Sequence, residues 1–342
     1  MKRRDKPYSP TRAFMPAILQ RLAPRLGAEV LLEPEHQIVG RIRFPNGRQS
    51  YFWHNKFNLN SVASAKICQD KGHTSFFLDQ CGFRVPRGDV FLRDSFRDLI
   101  RQGKSEADAR CFAEHLGWSV YLKPLRKSQG DGIIKACGPE EFDAAAKVIF
   151  QQERSVLVQE ACAGRDYRIV VLDGEVICAY ERTPLQVCGD GDATISTLLT
   201  RLQEQFIADG RDTIIPVEDQ RIAMTLHRQG LNLESVLPAG SSMQLMDVAN
   251  LSCGGTTRVI TEEIHPSVAV LAAEVSQALD LRLSGVDLLA ADATRPLGDY
   301  AVLEVNSAPG LDHYGASGPE HEAHVDELYL KVLEAIERGP LT

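Results

Sequence analysis

Two carboxylates and an amide in the last third of the chain are the residue types that hold a divalent cation. The run Leu303-Glu304-Val305-Asn306-Ser307-Ala308-Pro309-Gly310-Leu311 begins in an apolar strand, Tyr300 to Val305, which Pro309 and Gly310 break. Side chains two apart in a strand share a face, so Glu304 and Asn306 point the same way. A second apolar strand, Leu283 to Ala290, carries Asp287 in its middle. Carboxylates on adjacent buried strands are costly to desolvate unless something positive sits among them. Hard oxygen donors suit Mg²⁺, which takes one or two carboxylates and completes its shell with phosphate and water. For Asp287 alone, an acidic strand end facing solvent is an equal account.

Upstream, Lys127-Ser128-Gln129-Gly130-Asp131-Gly132-Ile133 follows a strand over Ser119–Leu122 that ends in Lys123-Pro124. Glycines at such a place let backbone N–H groups approach phosphate oxygens, and a lysine at the strand end adds a point charge. A plain hairpin turn explains the loop about as well. It is neither the dinucleotide fingerprint nor a P-loop, since no G-x-x-x-x-G-K-[ST] occurs in the chain.

The ordered series Lys71, Lys123, glycine loop, Gln159-Glu160, Asp166, Arg168, Arg182, Asp287, Glu304 and Asn306 resembles an ATP-grasp carboxylate–amine ligase. The likeness is greatest to the ATP-grasp domains of cyanophycin synthetase and of the fused bacterial glutathione synthetase. Blocks beyond the nucleotide site carry it: Asp70-Lys71, Gly164-Arg165-Asp166-Tyr167-Arg168, Glu181-Arg182-Thr183-Pro184, Asn250-Leu251-Ser252-Cys253-Gly254-Gly255-Thr256 and His265-Pro266. In order and spacing they cover roughly 60–318. The resemblance implies an α+β ATP-grasp fold, two α+β lobes gripping ATP between them, preceded by a short N-terminal α/β lobe. It implies domains at 1–62, 63–154 with the glycine loop, and 155–342 with the metal site.

The resemblance also implies roles. Lys71 and Lys123 would hold the α- and β-phosphates, and the loop at Gly130 and Gly132 would fold over the γ-phosphate. The backbone around Val158, Gln159 and Glu160 would read the adenine edge, and Asp166 the ribose hydroxyls. Asp287, Glu304 and Asn306 would hold one or two Mg²⁺, or Mn²⁺. Arginine's planar fork binds two carboxylate oxygens at once. Arg182 is the residue expected at the reacting carboxylate or acyl phosphate, with Arg168 nearby; a structural ion pair is the alternative for either. Val259 stands where cyanophycin-like relatives carry aspartate, and Arg258 is outside their pattern. A changed acceptor pocket is therefore expected, with Arg258 receiving a substrate carboxylate or, alternatively, merely solvated.

The implied reaction is ATP-dependent amide or peptide bond formation through an acyl phosphate, on amino-acid or small-peptide substrates, by a homo-oligomer with a dimer expected. A nucleotide-binding module without turnover, and a phosphotransferase that stops at a phosphorylated product, use the same residues. At 342 residues and 44% hydrophobic content the chain can bury a large core. A net charge of −8 argues against a general nucleic-acid binder. No apolar run is long enough for a membrane span, and no signal peptide is expected at Met1-Lys2-Arg3-Arg4. Eight cysteines scattered singly, with no C-x-x-C pair, fit reduced thiols in a cytoplasmic enzyme.

Periodicity places a helix over Ala13–Leu26 and strands either side of Asn46-Gly47, a two-residue hairpin signal. Helices are expected over Glu106–Leu116, Glu140–Gln151, Thr194–Ala208, Val217–Gln229, Pro266–Leu279 and Glu320–Glu337. His265, before a helix-opening proline, reads as a cap or packing residue.

Overall fold

Hydrophobic spacing in the first described residues produces a short helix, α1 (Phe14–Leu22), whose Met15, Ile18, Leu19 and Leu22 are buried. A 3₁₀ turn, Ala23–Leu26, continues it and stops at Gly27 in the left-handed region. The computed structural model describes residues 14–127, 130–211, 213–215, 217–315 and 319–340. The expected helix start at Ala13 and the loop residues Ser128 and Gln129 lie outside them.

Four antiparallel strands follow: β1 (Glu29–Leu32), β2 (Val39–Arg43), β3 (Gln49–Trp53) and β4 (Lys56–Phe57), in sequential order. The β2–β3 loop has three residues, not the expected two. Phe44 and Arg48 are still hydrogen-bonded, leaving Pro45-Asn46-Gly47, and Gly47 takes the positive φ that closes this longer loop. This lobe has no core of its own. Ile42, Phe44 and Phe52 pack with α1 against Val170, Cys178 and Tyr180 of the large sheet and against Val325, Leu328 and Leu333 of the last helix.

Helices α2 (Val62–Cys68) and α3 (Lys71–Gln80) open on Ser61 and Asp70, whose side chains accept from helix backbone N–H groups. Cys68 and Leu78 pack on the large sheet. The pair therefore sits with the later lobe, although the sequence assigned it to 63–154.

The first grip lobe contains β5 (Gly88–Leu92), α4 (Asp94–Ile100), α5 (Glu106–His115), β6 (Val120–Pro124), β7 (Ile134–Ala136), α6 (Pro139–Gln152) and β8 (Ser155–Glu160). Its antiparallel sheet runs β5-β8-β6-β7, and α5 and α6 cover it through Ala109, Ala113, Phe142 and Ile149. β8 lies between β5 and β6, so this lobe extends to Glu160 and not to the expected boundary at 154.

β9 (Arg165–Leu172) and β10 (Glu175–Thr183) form a hairpin over Asp173-Gly174, both at positive φ. The chain then leaves the sheet through β11 (Gln186–Cys188), α7 (Ile195–Ala208), α8 (Gln220–His227) and β12 (Ser242–Gln244). Leu185, Ile195, Leu199, Phe206, Ile222, Leu226 and Met246 give this excursion a separate small core. The chain returns as β13 (Thr256–Val259), α9 (Pro266–Ala278), β14 (Leu283–Ala290) and β15 (Tyr300–Asn306), then α10 (Asp312–Gly315) and α11 (Pro319–Arg338). The large sheet is antiparallel in the order β13-β10-β9-β14-β15. His265 caps α9 by accepting from Ser267 N–H at 3.2 Å, as its place before Pro266 indicated.

Candidate active site

Strand alternation divides one face of the large sheet between core and chemistry. On β9, Val170 and Leu172 point into the core shared with α1 and α11, and on the same face Asp166 and Arg168 begin a charged region. Register aligns Tyr180, Arg168, Asp287 and Glu304 in one row across β10, β9, β14 and β15. Arg182 and Asp166 pair in the next row on that face.

These side chains neutralise one another. Arg168 grips both oxygens of Asp287, its Nη2 at 3.0 Å from Oδ2. Arg182 Nη2 lies 2.6 Å from Asp166 Oδ1 and 3.1 Å from Asp287 Oδ2. Burial pushes the Asp166 carboxyl up despite Arg182. On β15, Lys71 Nζ stands 3.3 Å from Glu304 Oε2 and donates to the Lys127 carbonyl at 2.7 Å. Asn306 Nδ2 donates to Glu304 Oε1 at 3.2 Å. Burial alone would raise the Glu304 carboxyl. The charges of Lys71 and Arg168, with the Asn306 bond, outweigh it and hold Glu304 well below the usual carboxylate range.

The opposing wall comes from the first lobe. Lys123 is buried and donates to Gln159 Oε1 at 2.6 Å. Its partner is thus a neutral amide, and burial pulls the ammonium down to about 8. Gln159 is fully buried, so its side chain positions Lys123 and does not reach out to a ligand. Glu160 accepts from Arg87, at 2.8 Å from the backbone N–H and 2.6 Å from Nε. In the glycine loop Gly130 and Gly132 both have positive φ. The space a Cβ on Gly130 would fill is taken by the Asn250 side chain.

Between the walls lies a cleft of about 390 Å³. Lys71, Lys123, Gly130, Glu160, Asp166, Arg182, Asp287 and Glu304, all singled out by sequence, line it. Arg168 and Gln159 support these residues from behind. Arg258 is a correction. It alternates with Thr257, the register partner of Arg182, and so lies on the α9 face of the sheet. There it is half exposed and pairs with Glu263 at 3.0 Å and Glu181 at 3.3 Å.

Sequence reasoning missed several lining groups. Tyr121 lies two residues before Lys123 on the same strand face, and Lys135 is its cross-strand partner on β7. The Tyr121 ring stands between the two ammonium groups, 5.4 Å from Lys123 Nζ and 5.9 Å from Lys135 Nζ. Alternation from Lys123 was a signal that could have found both. Asp247, which accepts from Lys135 at 3.2 Å, belongs to the excursion and had no local signal.

The donor chemistry at Asp287, Glu304 and Asn306 fits a hard divalent cation: two opposed carboxylates, Glu304 held ionised, and an amide two residues along the same strand. Among the described residues no cluster of three His, Cys, Asp or Glu side chains offers a softer or all-protein site. No helix among them is long and apolar enough to cross a membrane.

A RimK-like ATP-grasp domain family matches residues 192–323. The chain is 35% identical over 257 residues to a cyanophycin synthetase from Trichormus variabilis, covering 73% of this chain and 27% of that protein. It is 26% identical over 265 residues to the glutathione biosynthesis bifunctional protein GshAB of Clostridium perfringens, covering 75% of this chain and 32% of that one. The chain thus spans about a third or less of the length of these relatives. The crystal structure of a bifunctional glutathione synthetase from Pasteurella multocida shares the fold, with a TM-score of 0.57 at 22% identity over 92% of this chain and 44% of that one. Sequence likeness and shared fold converge: residues 192–323 match a RimK-like ATP-grasp domain, and the chain shares its fold with an ATP-grasp ligase structure.

Proposed function

We propose that the chain is an ATP-dependent carboxylate–amine ligase that forms an amide or peptide bond through an acyl phosphate. The observation that carries this reading is the meeting, in one cleft, of the Lys123 and glycine-loop wall with Lys71 and the Asp287–Glu304 pair. A carboxylate is a poor acylating agent, because its leaving group would be oxide. Phosphoryl transfer to it needs in-line positioning and charge neutralisation more than covalent help from the protein.

Lys123, whose partner is a neutral amide, keeps its charge available to phosphate oxygens. Lys71 bridges the walls, tying Glu304 to the base of the glycine loop. The loop at Gly130 closes the phosphate end and keeps water from the acyl phosphate. Glu160 and the adjoining β8 backbone form the adenine end, with Asp166 toward the ribose. Asp287, Glu304 and Asn306 would hold Mg²⁺ or Mn²⁺, which when bound neutralises charge on transferring phosphates. Arg182, tied to both Asp166 and Asp287, orients the acids and presents the remaining guanidinium edge to the reacting carboxylate.

Amino-acid or small-peptide substrates are supported by the relatives' names, cyanophycin synthetase and glutathione biosynthesis protein. Eight cysteines, none of them in a disulfide, support a cytoplasmic setting. The test is ADP and phosphate release from Mg²⁺-ATP with pooled amino acids and dipeptides, with mass spectrometry of the products. A species lighter by one water than the sum of two supplied compounds is expected. A phosphorylated product formed without an amine, or ATP binding with no turnover in any pool, overturns the ligase reading.

A further inference from the structure

The excursion lobe touches the glycine loop through contacts the reaction above does not use. Helix α8 and its C-terminal cap carry Arg221 and Arg228, spaced by two helical turns and so on one face. Arg221 Nη1 donates to the Gly130 carbonyl at 2.8 Å and approaches the Ile133 carbonyl at 3.5 Å. Its Nε and Nη2 are forked on Asp219, the α8 N-cap, at 3.0 and 2.7 Å. Arg228 Nη2 donates to the Lys135 carbonyl at 2.9 Å. Its remaining nitrogens reach Glu141 on α6 at 3.0 Å and Asp247 at 2.7 Å.

The stretch from Gly130 to Lys135 is therefore held at both ends by arginines of one helical segment, through backbone carbonyls. A trans peptide points its N–H opposite to its C=O, so fixing the Gly130 carbonyl toward α8 also fixes the direction of the Asp131 N–H. Both guanidiniums are largely enclosed, their side chains 17% and 18% exposed, which strengthens these bonds over surface contacts. Asn250, in the loop that leads from the excursion lobe back to β13, fills the space beside Gly130.

We infer that α8 is the latch of the cleft: Arg221 and Arg228 are positioning residues that hold the glycine loop and β7 closed, and nucleotide leaves when their carbonyl contacts break. The inference rests on the nucleotide reading of the cleft. It makes the excursion lobe, which is continuous with the Asn250–Thr256 loop, the part that times opening. A ligand that shifts this loop moves Asn250 against Gly130 and acts on the latch directly.

The test has two readouts, hydrogen exchange of amides 130–136 in the ligand-free chain and stopped-flow dissociation of a fluorescent ATP analogue. Arg221→Gln is expected to speed both by about tenfold, the worth of one charge-assisted hydrogen bond, while α7 keeps its protection. Arg228→Gln is expected to act mainly on exchange at 134–137. Arg221→Lys, able to reach the Gly130 carbonyl or Asp219 but not both, should give intermediate values. Unchanged exchange and dissociation in Arg221→Gln with α7 still protected overturn the latch. Should Arg221→Gln strip protection from α7, Arg221→Lys decides, and wild-type values there overturn it. A chain that binds no nucleotide refutes the ATP reading, while the exchange readout still judges the latch.

Discussion

Asp287 and Glu304 are register partners on adjacent strands, yet they answer to different cations: Arg168 and Arg182 hold Asp287, and Lys71 holds Glu304. The two pairings are uneven. Asp287 is enclosed by two guanidiniums from the same sheet. Glu304 has one direct ion-pair partner, a lysine from α3 that also reaches across to the glycine loop, with Arg168 acting from further off.

Replacing Glu304 by Gln removes the charge and keeps the volume. ADP release should fall by more than about a hundredfold, a loss of the size seen when one key electrostatic group is removed from an active site. The far-UV circular dichroism should not change. Turnover at the wild-type rate would remove Glu304 from the metal-holding set.

The Arg168 guanidinium is the structural counterweight of Asp287, whose side chain is 4% exposed. Arg168→Met should cost about 3–5 kcal/mol in reversible denaturant unfolding, because it strands a buried carboxylate. Arg168→Met combined with Asp287→Leu should recover much of that loss. A single variant as stable as wild type would mean that Arg182 alone satisfies Asp287.

Burial puts the Lys123 ammonium at about 8, below the ordinary lysine value of about 10.4. Phosphate binds the charged form and raises this value, so nucleotide affinity should be greatest below pH 8. Above it, log affinity should fall by up to about one per pH unit, with proton uptake on binding. Stability runs the other way. Between the folded and unfolded values the unfolded chain binds the extra proton, so this group adds stability as pH rises through that window. Calorimetric titration in buffers of different ionisation enthalpy at pH 7 and 9 reads the uptake directly. Affinity flat across that range would exclude Lys123 from the phosphate contacts.

Arg258 lies on the α9 face in a surface ion pair, away from Arg182. Arg258→Ala should leave the KM for each substrate within about twofold, since surface pairs contribute little. A rise of tenfold or more in the KM of the carboxylate substrate would restore it as an acceptor contact.

Local pattern disclosed the strands that carry the site and the helix cap at His265, because alternation and capping are properties of neighbours in sequence. The same logic failed at Arg258, where reading a motif block without the β10–β13 register gave no face to the side chain. The side chain of Gln159, in a stretch whose backbone was expected at the adenine edge, turns under Lys123, a contact between β8 and β6 that no local spacing encodes. The assignment of β8 to the second lobe failed similarly, since a strand's sheet is chosen by its partners. Arg221 and Arg228 sit in a stretch that reads only as an amphipathic helix. Their targets are backbone carbonyls about ninety residues earlier, which leave no mark in side-chain pattern.

The lobe at the start of the chain shares its core with α11, near residue 336. During synthesis, therefore, α1 and the β1–β4 sheet emerge long before the surface that covers them exists. Until α11 is made, Leu19, Ile42 and Phe52 lack the part of their core that it supplies, and the apolar face they form is open to other chains. Contacts between segments this far apart close slowly. Folding yield in the cell should thus be limited at this seam more than at the cleft between the lobes, and substitutions in α11 should reduce the amount of folded protein while sparing the function of each molecule that completes the seam.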